Sequence, residues 1–152
     1  MWTRAVGPDR HGRKAGSHNT SESYTGVWAF VWQHGKLTDL GVPEGCAGWG
    51  RALNDRGDVV GTVARPGAER PVLCSEGTTM DLPVPGQGPG VAQDVNDRRE
   101  VVGYFEHADT GNPHACLWRR GELTDLGVPA GYYLSSAEFI SERGDILGHA
   151  DR

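Results

Sequence analysis

Cysteine is scarce and unpatterned in this chain. Cys46, Cys74 and Cys116 are odd in number and far apart, so they form no disulfide framework. There is no C-x-x-C to build a zinc ribbon or a thioredoxin-like site, and the three read as small apolar fillers. Long hydrophobic runs are also missing. No window approaches the ~18–20 apolar residues of a membrane span, and MWTRAVGPDR lacks the ~7–15-residue apolar stretch of a secretory leader. A cytoplasmic location is the default, and Asn19-Thr20-Ser21, although spaced as a glycosylation acceptor, reads as chance. Positive charge is not in excess. The formal net charge is −5, which argues against nucleic acid as a partner. Residues 1–26 carry +2 and the rest −7. Apolar residues are few as well, at 37% against a usual ~45–50%.

Glycine is abundant instead, with 23 in 152 residues, and it recurs on a period. "LNDRGDVVG" from Leu53, "VNDRREVVG" from Val95 and "ISERGDILG" from Ile140 are near copies. Gly35, Gly77 and Gly121 are spaced by 42 and 44, and Asp39, Asp81 and Asp125 keep the same steps. A period of this size means one supersecondary unit per repeat, stacked on its neighbours. Each unit reads as four short strands. The first is "WAFVW" from Trp28, "RPVLC" from Arg70 or "HACLW" from His114. A three-residue connection with glycine third follows, suited to a left-handed residue. The second strand ends at Pro43, Pro85 or Pro129, since proline cannot donate to a ladder. After a variable loop, the third and fourth strands flank a type I turn closed by Gly57 or Gly144. Arg99 replaces that glycine in the middle copy. A non-glycine residue there costs roughly 1 kcal/mol, so this turn is expected to be looser or rearranged.

Residues 27–152 therefore form a single all-β domain of three units, about 27–64, 70–105 and 114–150. Residues 1–26 are either a polar arm or a degenerate half repeat, since "RAVGPDRHGRKAG" loosely echoes "RALNDRGDVVG". A β-propeller has typically ~4–8 four-stranded blades, so three units form a partial propeller, as a truncated array or with two exposed flanks, or close by dimerisation, two chains completing a six-bladed ring. A β-trefoil is the alternative that closes alone.

Trp28-Ala29-Phe30, Trp32, Gly35, Asp39-Leu40-Gly41, Asn54, Gly57 and Val59-Val60-Gly61 resemble the HAF repeat, H-A-F-x-W-x-x-G-x-x-x-D-L-G followed by S-x-A-x-x-I-N-x-x-G-x-V-V-G. His114-Ala115, Trp118, Gly121, Asp125-Leu126-Gly127, Ser135, Ala137, Ile140, Gly144 and Gly148 do so again. The middle copy departs at Cys74, Pro83 and Arg99. The resemblance covers about residues 27–150. It implies propeller-like blades in tandem arrays, often in bacterial proteins labelled extracellular, and no established enzymatic activity.

Four groups of side chains are candidate sites. Asp39, Asp81 and Asp125 are either a ring of carboxylates or turn-bonding aspartates, and repetition at one position favours the second. Asn54, Asp55, Asp58, Asn96, Asp97 and Glu100 offer oxygens that calcium uses. The calcium-loop pattern is absent and arginines interrupt the set, so solvated hairpin tips are the preferred reading. His107, Asp109 and His114 sit in "EHADTGNPH", where a zinc site or acid–base pair could use them; a polar turn explains the segment as well, and no metal is assigned. Trp49, Tyr132 and Tyr133 lie in the variable loop, where flat aromatics could bind a ligand. No catalytic residue, nucleotide fingerprint or cofactor is indicated; Gly86-Gln87-Gly88-Pro89-Gly90 is a plain loop. The function expected is a non-enzymatic scaffold that binds a protein or glycan through loops on one face. The alternatives are a hydrolase or lyase with its site at a unit junction, or a remnant of a larger array.

Overall fold

The computed structural model describes residues 3–5, 8–19, 27–39 and 47–152. Fourteen strands occur among them, in four antiparallel sheets. The first sheet runs β1 (Thr3–Ala5), β2 (Lys14–Asn19), β3 (Val27–Gln33), β4 (Lys36–Asp39). The second runs β5 (Ala47–Leu53), β6 (Val59–Arg65), β7 (Ala68–Ser75), β8 (Thr78–Asp81). The third runs β9 (Gly90–Val95), β10 (Val101–Glu106), β11 (Pro113–Arg119), β12 (Glu122–Gly127). The fourth holds only β13 (Leu134–Ile140) and β14 (Ile146–Asp151). Every sheet is a simple meander. One short 3₁₀ turn, Pro85–Gln87, interrupts the strands, and no described helix is long and apolar enough to cross a membrane.

The all-β expectation holds at this level, but the unit boundaries move by half a repeat. Repeat 27–64 places β3 and β4 in the first sheet and β5 and β6 in the second. The later repeats split in the same way. Loop length is the cause. Only Pro66-Gly67 separates β6 from β7, with Arg65 opposite Ala68, and strands joined by so tight a hairpin must be neighbours. Eight residues separate β8 from β9, enough to step to the next sheet. Part of 1–26 forms strands, since β1 and β2 pair and extend the first sheet.

Apolar residues from consecutive sheets make the core. Val60, Leu73, Val95, Val101, Phe105 and Trp118 form its largest cluster. Trp118 is 1% exposed, and its indole N–H donates to the Pro83 carbonyl at 2.7 Å. Cys74 and Cys116 are buried and unbridged, and burial pushes the Cys116 thiol up; Cys46 lies outside the described residues. Gly61, Gly103 and Gly148 each face a bulge in the preceding strand. A Cβ there would run into the carbonyl of Trp49, Val91 or Ser136, so these glycines are fixed by close backbone approach.

The hairpin turns repeat one geometry four times. At Asp9, Asn54, Asn96 and Ser141 the side-chain oxygen accepts the backbone N–H two and four residues on, at 2.8–3.2 Å. The turns also bind one another. The Asn54 amide donates to the Asn96 carbonyl at 3.0 Å and the Asn96 amide to the Ser141 carbonyl at 3.2 Å. The N–H of Arg10 donates to Asp55, that of Asp55 to Asp97, and that of Asp97 to Glu142. These are not solvated tips: Asn54, Asp58, Asn96 and Glu100 are all buried.

Arg99 overturns the expectation of a loosened turn. It takes the left-handed conformation, φ 59°, and its N–H still donates to the Asn96 carbonyl at 3.0 Å. Its guanidinium then reaches the preceding sheet, donating to Asp58 Oδ2 and Ser75 Oγ, both at 2.9 Å. These charge-assisted bonds offset the backbone strain. Burial pushes Asp58 up, but the bonds from Arg99, Ser75 and Asn54 outweigh it and hold the carboxyl below its ordinary 3.8.

Two outcomes follow for stability. Asn96→Ala removes the acceptor of two backbone N–H groups, that of the exposed Arg98 and that of the buried Glu100; an unsatisfied buried group costs about 1–3 kcal/mol, so urea unfolding is expected to show a loss of about 1–3 kcal/mol, and an unchanged midpoint would show the turn to be dispensable. Arg99→Gly relieves strain yet is expected to destabilise. Asp58's folded pKa lies below its unfolded value, so its contribution is present above pH 3.8 and lost as pH falls through the lower folded value. The gap between wild type and Arg99→Gly should be wide at pH 7 and narrow as pH falls below 3.8; urea midpoints across that range check it.

Candidate metal centre

The structure scatters the aromatic candidates. Trp49 is not in a loop but within β5, half-buried and opposite Thr62. Gly50 beside it is there for packing, since a Cβ on it would lie 2.9 Å from the Gly16 carbonyl oxygen. Tyr132 and the exposed Tyr133 lie between β12 and β13, and the Tyr132 ring stacks with Arg152, 4.8 Å away. The calcium candidates are already engaged. Asp58 is held by Asn54, Ser75 and Arg99, Glu100 by Asn96 and Arg98, and Asp55 by Arg10. Glu100 is held low, first by its bond from Arg98 and then by Asn96, against burial.

Two histidines do come together. His107 opens the loop after β10, where its carbonyl accepts the N–H groups of Thr110 and Gly111 and its own N–H donates to Asn112. That tight turn folds the ring back over β11. His114 lies in β11 opposite Phe105, and the imidazoles stack with centroids 4.4 Å apart and planes 25° from parallel. Phe105 meets the His114 ring edge-on, 6.0 Å away.

A carboxylate completes the group, and it is not Asp109, which is exposed in the turn. It is Asp125 of β12, whose Oδ2 lies 3.0 Å from His114 Nδ1. Its Oδ1 accepts the Gly127 N–H at 2.7 Å, which fixes the carboxylate and leaves Oδ2 toward the ring. One ligand atom each of His107, His114 and Asp125 lies within 4.8 Å of the others. His107 Nδ1 is buried and has no hydrogen-bond partner.

The second sheet shows what this position asks for. Counting from Gly61 and Gly103, Arg65 corresponds to His107; by pairing, Arg70 corresponds to His114 and Asp81 to Asp125. There the Arg65 guanidinium meets Asp81 at 2.7 Å. The second sheet carries its own cation beside the aspartate; the third sets two imidazoles there. Asp39, the first-sheet equivalent, has a side chain outside the described residues.

Acylaminoacyl peptidases share this fold. The chain superposes on Pyrococcus horikoshii acylaminoacyl peptidase with a TM-score of 0.58 at 9% identity, covering 99% of this chain and 26% of that one. A second structure, acylaminoacyl peptidase in complex with Z-Gly-Gly-Phe-chloromethyl ketone, gives 0.57 and 9%, covering 99% and 25%. The chain thus spans about a quarter of the length of the proteins it matches. No family model and no curated protein matches it. The expectation of a non-enzymatic repeat scaffold for a protein or glycan is corrected by this finding, because its structural neighbours are peptidases and its fold is part of theirs. At 9% identity the likeness carries fold alone.

Proposed function

We propose that this chain is a β-propeller-type module that binds a divalent transition-metal ion through His107, His114 and Asp125. The observation that carries the metal reading is the buried, unpartnered Nδ1 of His107 beside the His114–Asp125 pair. Two imidazoles and a carboxylate are a donor set suited to zinc and its neighbours. Zinc holds such ligands at about 2.0–2.2 Å, so the widest separation here closes by roughly 1–1.5 Å through side-chain torsions. Three protein ligands leave a position for water or a small anion. Peptidase chemistry is not assigned to it.

The propeller reading rests on the four meandering sheets and on the likeness to the peptidases. Each four-stranded meander is a blade, and three blades with half of a fourth replace the three closed units read from the sequence. The trefoil finds no support in the pairings, since no described strand ladders with a strand of another sheet. A resemblance to HAF repeats fits the same reading once each repeat is divided between two blades.

Calorimetric titration with zinc chloride tests the site. One ion per chain is expected, with affinity falling at least tenfold in Asp125→Asn, which keeps the Gly127 bond but loses the charge, and in His107→Gln. Acidification should weaken binding, because ligating imidazoles must be unprotonated. Absence of uptake by the wild-type chain, or equal uptake by the double variant, would reduce the cluster to a strand-pinning His–Asp bond.

A further inference from the structure

The bulges in the first strands carry three different polar side chains at one position. Where β5, β9 and β13 pass Gly61, Gly103 and Gly148, one residue is extra, and it is Arg51, Gln93 and Glu138 in turn. A bulge re-aims the side chain it inserts. Consecutive first strands also lie side by side, β9 packing against both β5 and β13. Arg51 crosses the first of these junctions, where its Nη1 donates to Gln93 Oε1 at 3.3 Å.

Arg51 is a cation without an anion. Arg13, Arg65, Arg98 and Arg99 each meet a carboxylate at 2.6–2.9 Å. Arg51 meets none among the described residues, and its one hydrogen bond is to a neutral amide. Its Nε is buried with no partner. An unmade buried bond is costly, and a turn of the guanidinium toward an anion removes that cost. Tyr104 follows Gly103 in β10, half-buried, and its hydroxyl bonds to no described residue. Burial pushes the phenol up; the Arg51 charge opposes this, and Glu69 and Glu138 add to it. Both signs of charge therefore act at one phenol. Glu138 is held from its own strand, accepting the Ser136 hydroxyl at 2.6 Å.

We infer that the bulge row binds a small zwitterion, a carboxylate and an ammonium joined by a short chain. Its carboxylate takes the guanidinium of Arg51 as a bidentate pair, with the Tyr104 hydroxyl as a further donor. Its ammonium meets Glu138. Gln93 stands between the two charged positions, so a ligand whose charges are several bonds apart fits better than an α-amino acid. The inference does not rest on the metal site.

The probe is γ-aminobutyrate, titrated into the full chain while the side-chain Nε–H resonance of Arg51 is followed by NMR. A saturable shift is expected. Butyrate and butylammonium, each with one of the two charges, should bind weaker by roughly tenfold or more. Arg51→Gln should abolish binding, and Glu138→Gln, which keeps an acceptor for Ser136, should bind γ-aminobutyrate no better than butyrate. The remaining backbone resonances report whether each variant is folded. No shift in the wild-type chain, an equal shift with butyrate or sodium chloride, or shifts confined to His107 and His114 would overturn the inference, the last by assigning the carboxylate to the metal centre.

Discussion

The sheets are held at fixed spacing by a relay of buried hydrogen bonds between hairpin turns. Apolar contact between sheets is non-directional and would tolerate sliding. The asparagine relay would not. Asn54 and Asn96 each satisfy two N–H groups of their own turn through the side-chain oxygen, then use the amide to hold the next turn's carbonyl. Both side chains are buried, so losing the bonds to the buried Asp58 and Glu100 N–H groups leaves those groups without water to replace the partner. The residue four positions after the turn's first can then vary in charge. It is Arg13, Asp58, Glu100 and Asp145 in turn, and the buried acids Asp58 and Glu100 have arginine partners. The left-handed Arg99 belongs to this logic, because its strained backbone aims a guanidinium at Asp58.

Much of this was legible in the sequence. Strand positions, the glycine-closed turns and the all-β class follow from periodic glycine, proline and valine. The phase of the sheets was not legible, because a repeat marks where a pattern recurs and not which strands share a ladder. That depends on comparing Pro66-Gly67, a two-residue hairpin, with the longer stretch before Gly90. Trp49 was misplaced for a related reason: the segment after Pro43 varies between units and reads as a loop, whereas β5 begins within it at Ala47. Arg99 was misjudged because its compensation comes from residues 41 and 24 positions away.

Two of the three candidate ligands, His107 and His114, were singled out from the sequence, together with Asp109. Asp125 was set aside because every unit repeats it, yet the repeat supplies the carboxylate and the third copy changes what surrounds it. The signal was available as a comparison of positions 65, 70 and 81 with 107, 114 and 125. Reading it required knowing that Arg65 and His107 occupy equivalent places at the ends of β6 and β10, four residues after Gly61 and Gly103.

The first and fourth turns depart from the asparagine pattern of the middle two. In the first turn Asp9 stands where the middle copies have asparagine, and Arg13 provides the bridging donors, reaching the Asn54 and Asp55 carbonyls. In the fourth turn Ser141 serves its own loop equally well through its hydroxyl. Unlike asparagine, serine has no amide left to extend toward a further turn. The relay therefore receives a bond at its last member and passes none onward from that side chain.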